Sequence, residues 1–398
     1  MGWYEASGVL DSPLAKGGVA SQTCLAWFDS GQQDRFPNRV DCQAMSAEAF
    51  FLYDQLASGG PWRAWAVKLL DLVEGSQIKD PARASFGGFP WLLEGDDTLW
   101  FWDDNCRSGM ALLWGYHWTG EERYLAAAVR SGELFRQVAR EDGCVHRHCI
   151  SAKELDSLGR EAYRAFSQGA VDADYRLQHW GSLAAVTGDV EYERLARLVD
   201  RLWTPQVWLR GAAHAAHYLD SKEARQRAGE LADQLLGDQA VQRWGAVLAP
   251  GGDYKWAFVN DCGITTDSGE SLTDQLYATP WYFLEAWRGW KATGDERSRQ
   301  LAEGFGDYLV RIQCDLSDPR LAGSWMRGFD VEHWEYYGAP YDPNYGPYSA
   351  YTGWMNSIAA QGLAWYLLDE SPFLPESGTD VTRKLVAELR ALNPKLVE

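Results

Sequence analysis

Three amphipathic helical segments of this chain end at the dipeptide Thr-Gly, and an acidic residue follows each of them. The stretches read HWTGEERYLAAA from His117, AVTGDVEYERLARL from Ala185 and KATGDERSRQLAEG from Lys291. Glycine favours the left-handed conformation that ends a helix, and an acidic residue suits the positive end of the next helix dipole. Each stretch therefore predicts two antiparallel helices joined by a tight turn.

Paired helices of this kind extend over most of the chain. We predict six pairs, at roughly 41–75, 105–141, 174–203, 205–236, 271–313 and 351–392. The connections between pairs are often long (76–104, 142–173, 237–270 and 314–350), and each precedes the first helix of a pair. In a closed ring of six pairs, all these connections fall on one face. The sequence thus predicts a single all-α domain over residues 1–398, an (α/α)6 toroid. The alternative, an open helical solenoid, favours shorter and more uniform connections.

The charge and hydropathy of the chain exclude several classes of partner. With 56 acidic and 37 basic residues the formal net charge is −19, so neither a nucleic acid nor an anionic membrane surface is an expected partner. The N-terminus lacks the basic start and apolar run of a signal peptide, and the seven cysteines are scattered as in proteins with reduced thiols. We therefore expect a cytoplasmic protein; a signal peptide removed earlier is the alternative.

Carboxylates alternate with tryptophans and tyrosines in the long connections. Residues 323–354 read GSWMRGFDVEHWEYYGAPYDPNYGPYSAYTGW, and residues 87–107 read GGFPWLLEGDDTLWFWDDNCR. Aromatic faces stack on sugar rings, whereas carboxylates hydrogen-bond hydroxyl groups and transfer protons. Because loops carry function when a rigid scaffold holds them, the pattern favours a carbohydrate site. The alternative is that these aromatic residues are only part of the core.

Two of these phrases resemble those of a known enzyme family. FWDDNCRSGMALL, from Phe101, and GSWMRGFDVEHWEYYG with GPYSAYTGW, from Gly323, resemble the β-glucuronidase-type toroids of glycoside hydrolase family 154. The chain is more distantly similar to the unsaturated glucuronyl hydrolases and the rhamnogalacturonyl hydrolases. The resemblance implies an (α/α)6 toroid and a glycoside hydrolase that acts on a glycan containing uronic acid.

The strongest candidates for catalytic residues lie in the second phrase. Asp330, Glu332 and Glu335 fall within six residues. Hydrolysis needs one protonated carboxyl group and one carboxylate, and apolar neighbours can supply the raised pKa of the acid. Glu335 lies between Trp334 and Tyr336, so we predict Glu335 as the acid and Asp104 as the base.

Asp261 is a further catalytic candidate, because it belongs to the acidic stretch before the fifth pair. In that stretch Ser271 and Asp274 have the spacing of a capping box, which would explain Asp274 without catalysis. One of Asp103 and Asp104 is expected to cap the second inner helix, and the other to face the pocket.

Substrate binding is predicted for aromatic, acidic and basic residues at the entrances of the inner helices and in the connecting loops. An acidic chain that binds an anionic oligosaccharide or polysaccharide needs local cations, and these include Arg39, Arg147, Arg176 and Lys255. The predicted binding residues are Asp41, Trp102, Asp103, Arg107, His146, His148, Arg327, His333, Trp334, Tyr337, Tyr348 and Trp354.

No metal or cofactor is expected from the motifs. The stretch 143–149 contains Cys144, His146, His148 and Cys149, but the spacing matches no standard zinc pattern. No dinucleotide fingerprint or P-loop is present.

Three other functions remain open. A polysaccharide lyase could use His333, Tyr336 or Tyr337 as its base, and a sugar epimerase could use His146 with His148. A non-catalytic sugar-binding toroid needs the aromatic residues but no convergent acids. The sequence leaves sugar identity, linkage, anomeric outcome and oligomeric state open.

Overall fold

The computed structural model describes residues 1–24, 38–57, 59–93, 95, 99–145, 149–165, 173–201, 209–249, 271–337 and 348–392. It confirms the all-α toroid. Six inner helices surround a common axis, and each packs on the next, with the sixth packing on the first. They are α2 (Val40–Leu56), α4 (Trp102–Thr119), α8 (Ala173–Thr187), α10 (Leu209–Tyr218), α13 (Thr279–Thr293) and α15 (Ser357–Leu368).

The inner helices are buried on nearly every side, because each has neighbours in the ring as well as an outer layer. In α4, every residue from Trp102 to Gly115 is buried, whichever direction it faces. The outer helices instead bury one apolar stripe and expose a charged face, as expected of surface helices. They are α3 (Trp62–Ser76), α5 (Glu122–Val138), α9 (Val190–Asp200), α11 (Lys222–Leu236) and α14 (Glu296–Ile312).

The Thr-Gly turns form the predicted hairpins between α4 and α5, α8 and α9, and α13 and α14. In the last of these, the Thr293 hydroxyl donates to the Gly289 carbonyl at 2.6 Å, and Gly294 has a φ of 71°. The Asp295 side chain then accepts from the Arg297 backbone amide at 3.0 Å and caps the next helix. The equivalent glycines 120 and 188 also have positive φ, so one local motif makes three of the hairpins.

Two segments near opposite ends of the chain pair with each other and close the ring. Strand β3 (Gln22–Cys24) pairs in antiparallel register with β9 (Ser349–Tyr351). A π-helical turn, Thr352–Asn356, follows β9 and leads into α15. Here Gly353 faces Cys42 so closely that a Cβ on the glycine would lie 2.5 Å from the Cys42 Cα atom. The seam between the first and last pairs therefore depends on a glycine.

The last helix, α16 (Asp380–Ala391), packs against α5 and α8 of the second and third pairs rather than beside α15. Residues 370–378 cross the C-terminal ends of the inner helices to reach that position. Along this path the Leu374 amide donates to the Tyr218 hydroxyl at 3.0 Å, and the Ser377 amide donates to the Ala185 carbonyl at 3.0 Å. This segment covers one end of the ring, so the opposite end is the one that carries the long connections.

Short strands lie at the end of the ring where the inner helices begin. Strand β4 (Leu99–Phe101) pairs with β5 (Cys149–Ser151) and runs directly into α4. Strands β6 (Leu272–Asp274), β7 (Gly328–Asp330) and β8 (Glu335–Tyr336) form a three-stranded sheet before α13. The remaining elements are α1 (Gly2–Ala6), β1 (Leu10–Ser12), a 3₁₀ turn (Pro13–Ala15), β2 (Gly18–Val19), α6 (Ala152–Leu158), α7 (Arg160–Ala165) and α12 (Gln239–Trp244). Within the described ranges, no helix has the length and apolar character needed to cross a membrane.

Candidate active site at the mouth of the toroid

Two acidic residues from neighbouring inner helices share one arginine at this end of the ring. Arg39 donates from Nε and Nη2 to Asp41 at 2.9 and 2.8 Å, and from the same Nη2 to Asp104 at 3.0 Å. The Trp354 indole N–H, from the sixth pair, also donates to Asp41. The first, second and sixth pairs therefore meet at this group.

Neither Asp103 nor Asp104 caps its helix, which corrects the expectation that one of them does. The helix begins at Trp102 with Phe101 at the N-cap position, because β4 continues directly into it. Both aspartates lie in the first helical turn, where the helix dipole favours negative charge. Their side chains are therefore available for contacts across the ring.

A second group lies beside the first and consists of two arginines that both contact the ring of Tyr175. The Arg107 guanidinium lies 4.5 Å from the Tyr175 ring centre and donates to its hydroxyl, and that of Arg210 lies 3.8 Å from the same ring centre. Arg107 also contacts the faces of Trp281 and Trp354, at 4.7 and 3.7 Å. These residues come from α4, α8, α10, α13 and the π-helical turn.

Acidic residues partner these arginines. Arg107 Nη2 donates to Asp103 at 3.1 Å, and Arg210 Nε lies 3.1 Å from an Asp174 oxygen. One turn further along α13 from Trp281, Glu285 accepts from Arg288 at 2.9 Å and lies 3.7 Å from Arg210. The site is thus a layered set of opposite charges around the axis.

Burial raises the pKa of three acids in this set. Loss of solvent raises the pKa of Asp104 well above its usual value, and the neighbouring Asp41 raises it further, against the lowering effect of Arg39. Burial likewise raises the pKa of Glu285, and it raises that of Glu48 to about 8 although Arg288 opposes the shift. Glu48 lies seven residues beyond Asp41 on α2, two turns deeper along the axis. Of these three, Asp104 is the one that shares a hydrogen-bond donor with another carboxylate, Asp41.

Several buried polar atoms of the site lack a hydrogen-bond partner in the part of the chain that the structure describes. Buried groups of this kind are rare in folded proteins, and a ligand is one way to satisfy them. Here they include donors and acceptors together, which suits a polyhydroxylated ligand. The donors are Arg107 Nε, Arg107 Nη1, Arg210 Nη1 and Arg288 Nε, and the acceptors are Asp103 Oδ1, Asp104 Oδ1 and Glu285 Oε2.

Six residues predicted from the sequence come together at this site: Arg39, Asp41, Asp103, Asp104, Arg107 and Trp354. Trp102 was also predicted to contact substrate, but the structure places it in the core. Its ring is fully buried against Phe135, and its indole N–H donates to the Tyr163 hydroxyl at 3.0 Å. Trp102 therefore belongs to the packing between the inner and outer layers.

The predicted acid cluster lies at the rim instead. Glu332, His333 and Glu335 are exposed, and only Asp330 is buried. Asp330 accepts from Ser271 at 2.8 Å, from the backbone amides of Glu332 and His333 at 2.9 and 3.0 Å, and contacts His333 Nδ1 at 3.0 Å. Burial raises the pKa of Asp330, but these hydrogen bonds outweigh it and hold the pKa below its usual value. These contacts stabilise the turn; catalytic roles for Asp330, Glu332 and Glu335 stay predictions.

Arg327 was predicted to contact substrate, but the structure places it in a buried ion pair. Its side chain is fully buried, and its Nε and Nη2 donate to Asp274 at 3.0 and 2.8 Å. The expected capping box is also wrong, because Asp274 ends β6 and Ser271 donates to Asp330. The ion pair of Arg327 with Asp274 joins β6 to the start of β7.

Two aromatic residues of the rim, Trp334 and Tyr336, contact the C-terminal end of the outer helix α14. Trp334 lies against Arg311 of α14, with the guanidinium 4.3 Å from the ring centre, and the Tyr336 hydroxyl donates to the Ile312 carbonyl at 2.7 Å. Tyr337 is exposed and Tyr348 is half-buried. Substrate contacts by Trp334, Tyr337, Tyr348 and His333 stay predictions, and a long glycan at the rim could reach them.

His146, His148 and Asp261 lie outside the described residues, as do Arg147 and Lys255. Arg176 was expected among the cations of the site, but its guanidinium donates to the Gly143 carbonyl at 3.2 Å and is fully buried there. Within the described ranges, no group of three or more His, Cys, Asp or Glu side chains has the arrangement of a metal site.

Sequence reasoning missed Tyr175, Arg210, Glu285 and Arg288. Each lies within a helix whose sequence looks like ordinary core with an occasional charge. The usable signal was that a helix buried on every side has no solvent for a charged residue, so its charges must meet partners inside the ring.

Two buried histidines were also overlooked. Burial lowers the pKa of His179 to about 3, and burial together with Arg288 lowers that of His214 well below its usual value. His179 packs against Gly109 and the Phe135 ring, and His214 Nδ1 contacts the Arg210 carbonyl at 2.8 Å. Both are therefore neutral core residues at pH 7.

Comparison with known proteins identifies the fold of this chain but assigns the chain to no family. No family model matches the sequence, and no curated protein is significantly similar to it. Among solved structures, a sugar epimerase from a ruminal bacterium matches with a TM-score of 0.65 at 12% identity, over 92% of this chain and 96% of that one. Cellobiose 2-epimerase from Spirochaeta thermophila matches with a TM-score of 0.61 at 11% identity, over 92% and 94% of the two chains. D-mannose isomerase matches with a TM-score of 0.57 at 14% identity, over 92% and 96%. At these identities the likeness establishes a shared toroid fold, and the predicted resemblance to glucuronidases stays a prediction.

Proposed function

We propose that this protein is a carbohydrate-processing enzyme that hydrolyses a glycosidic bond at the mouth of the toroid. The observation that carries the proposal is the meeting of Asp41 and Asp104 on one nitrogen of Arg39, with the pKa of Asp104 raised by burial. Hydrolysis needs two carboxyl groups in different protonation states. Unequal environments provide that difference.

In this mechanism Asp104 is the general acid. A protonated carboxyl group there donates to the glycosidic oxygen as the bond to the leaving group breaks. Asp41 is the partner carboxylate, because two hydrogen bonds from Arg39 and one from Trp354 stabilise its negative charge. It activates water or attacks the anomeric carbon. This assignment moves the acid from Glu335, at the exposed rim, to Asp104, which the sequence predicted as the base, and it gives the role of base or nucleophile to Asp41.

The proposed substrate is a glycan that contains uronic acid. Four arginines (Arg39, Arg107, Arg210 and Arg288) lie around the site in a chain of net charge −19. Arg107, Arg210 and Arg288 keep donors without a partner among the described residues, and such donors suit a substrate carboxylate. Oligosaccharides long enough to leave the axis would also contact the aromatic rim.

A panel of aryl glycosides and aryl uronides tests the reaction. Release of the aryl group, faster for uronides and abolished in Asp104→Asn, would support hydrolysis by this site. Hydrolysis that is unchanged in Asp104→Asn would contradict the assignment of the acid. A saturated uronan distinguishes the lyase, whose product carries a C4–C5 double bond and absorbs in the ultraviolet. Binding without turnover of any substrate would favour the non-catalytic toroid.

An epimerase or isomerase is the second candidate, and the named fold relatives favour it. Such chemistry needs a base that removes a proton next to a carbonyl group. Among the described histidines, His179 and His214 are packed in the core, and His333 is exposed on the rim. His117 and His217 lie near the C-terminal ends of α4 and α10, opposite the mouth. Incubating reducing sugars in heavy water and following exchange and epimer formation by NMR tests this alternative. Exchange that survives in Asp104→Asn would favour it over hydrolysis.

A further inference from the structure

Tyr175 holds two like charges close together in the interior of the ring. Its hydroxyl accepts from Arg107, and the guanidinium groups of Arg107 and Arg210 contact its ring at 4.5 and 3.8 Å. Two cations near one ring repel each other, whereas an aromatic face attracts both of them. Contact with Tyr175 therefore offsets part of the repulsion between Arg107 and Arg210.

The same two arginines retain unused donors. Arg107 is 4% exposed and Arg210 is 3% exposed, yet Arg107 Nε and Arg210 Nη1 have no hydrogen-bond partner in the described part of the chain. A buried guanidinium N–H without an acceptor is costly. The pair therefore has both the charge and the open donors that an oxyanion requires.

The surrounding acids limit which anion fits. Asp103 and Asp104 face Arg107 at 3.1 and 3.6 Å, and Asp174 and Glu285 face Arg210 at 3.1 and 3.7 Å. A dianion such as a phosphate ester would meet repulsion from these carboxyl groups. A monoanionic, planar carboxylate matches the planar guanidinium fork and adds a single charge.

We propose that Arg107 and Arg210 bind the carboxylate of a uronic acid residue, and that Tyr175 is the positioning residue that sets the two arginines for this contact. The inference rests on the proposed hydrolysis of a uronide and identifies which sugar carries the charge. Because Arg107 also faces the proposed acid Asp104, the charged sugar is the one next to the cleaved bond.

Binding measurements on the intact protein test the inference without turnover. Calorimetric titrations with D-glucuronate, D-glucose and D-glucose 6-phosphate would be compared in the wild type, Arg210→Gln and Tyr175→Phe. A hydrogen bond to a charged group corresponds to a factor of about ten or more in affinity. We expect Arg210→Gln to lose about tenfold or more in glucuronate affinity with little change for glucose, and the wild type to bind the phosphate ester most weakly among the charged sugars.

Tyr175→Phe keeps the ring and removes the hydroxyl, so it isolates the positioning role. We expect KM for an aryl uronide to rise by a larger factor than KM for a neutral aryl glycoside, because only the uronide carries the carboxylate. Arg160→Gln is the matched control, since Arg160 is also a buried arginine but donates to the carbonyls of Ala84 and Phe86, away from the site. It should leave the preference for glucuronate intact.

Equal losses for glucuronate and glucose, no preference for glucuronate in the wild type, or tighter binding of the phosphate ester would each overturn the inference. If Arg210→Gln does not fold, Arg210→Lys keeps the charge, lacks the fork and must still lower glucuronate affinity. A preference for glucuronate that depends on Arg210, in a protein that hydrolyses no glycoside, would refute the proposed reaction and leave the anion site standing.

Discussion

The carboxylates of Asp41 and Asp104 accept hydrogen bonds from the same nitrogen of Arg39, at 2.8 and 3.0 Å. The two residues belong to different inner helices, so ring packing rather than local sequence sets their separation. A shared cation allows two acids to lie close together, and burial raises the pKa of Asp104. This arrangement makes the pair the centre of the proposed chemistry.

The amide variant Asp104→Asn should keep the fold and lose turnover by about 10²- to 10⁴-fold, the usual contribution of general acid catalysis. Glu335→Gln, at the exposed rim, should keep kcat. Steady-state kinetics with melting temperatures as the control measure both. The reverse result, a silent Asp104→Asn and an inactive Glu335→Gln, would return the acid role to Glu335.

Arg327 should matter for stability and not for substrate charge. Removing one partner of a buried ion pair leaves an uncompensated charge, which costs about 3–5 kcal/mol. We expect Arg327→Met to lower the free energy of unfolding by about that amount, while the ratio of kcat/KM for uronide and neutral glycoside stays constant. Arg194→Gln, in an exposed pair with Glu191, should change stability by less than about 1 kcal/mol. A lost preference for uronides in a stable Arg327→Met protein would contradict the structural role.

Glu48 should make stability depend on pH. Its pKa is about 8 in the folded protein and 4.5 for an ordinary glutamate, so the folded state alone keeps the proton between these values. Its contribution to stability is complete below pH 4.5 and is lost as pH rises to about 8, by up to about 1.4 kcal/mol per pH unit. Denaturant titrations from pH 5 to 8 should therefore show that Glu48→Gln becomes more stable relative to the wild type as pH rises. The exposed control Glu122→Gln should show no such trend. A constant difference in the free energy of unfolding between the wild type and Glu48→Gln across this pH range would refute the prediction.

The seam of the ring should not tolerate a larger residue at position 353. A Cβ there would lie 2.5 Å from the Cys42 backbone, so Gly353→Ala should force the first and sixth pairs apart and cost at least about 1–3 kcal/mol. Gly304→Ala is the matched control, because nothing lies within 4 Å of its Cβ and alanine favours the helix. Thermal unfolding should show a loss for the first and a small gain for the second. Equal melting temperatures would mean that the π-helical turn adjusts freely.

Local signals were enough to predict the ring. The Thr-Gly turns specify hairpins through hydrogen bonds within a few residues, as Thr293 and Gly289 show, and long loops before each inner helix imply one functional face. Asp174, which partners Arg210 in the structure, was recognised from the sequence only as the start of the third helix pair. The path of α16 could not be predicted, because nothing near residue 380 encodes its docking on α5.

The site was harder to predict, for a physical reason. Asp103 and Asp104 were recognisable because two adjacent acids exceed what a helix start needs. Arg210 and Glu285 each look like a single charge in an apolar helix, and their roles depend on neighbours up to 75 positions apart in sequence. The rim cluster around Glu335 was favoured because its acids and aromatic residues are dense in sequence, yet density along the chain does not bring side chains to the axis.

The closure of the ring by β3 and β9 has a consequence for how the protein is made. The Thr352 hydroxyl bonds the Ala20 carbonyl across 332 positions of chain, whereas each hairpin is held by contacts within about 30 residues. During synthesis the hairpins can form one after another, but Trp354 reaches Asp41 only after the sixth pair has left the ribosome. Until then the buried sides of α2 and α13 lack their neighbour α15. A nascent chain of this protein therefore carries exposed apolar helices for most of its synthesis, and this is the interval in which a chaperone would have most to protect.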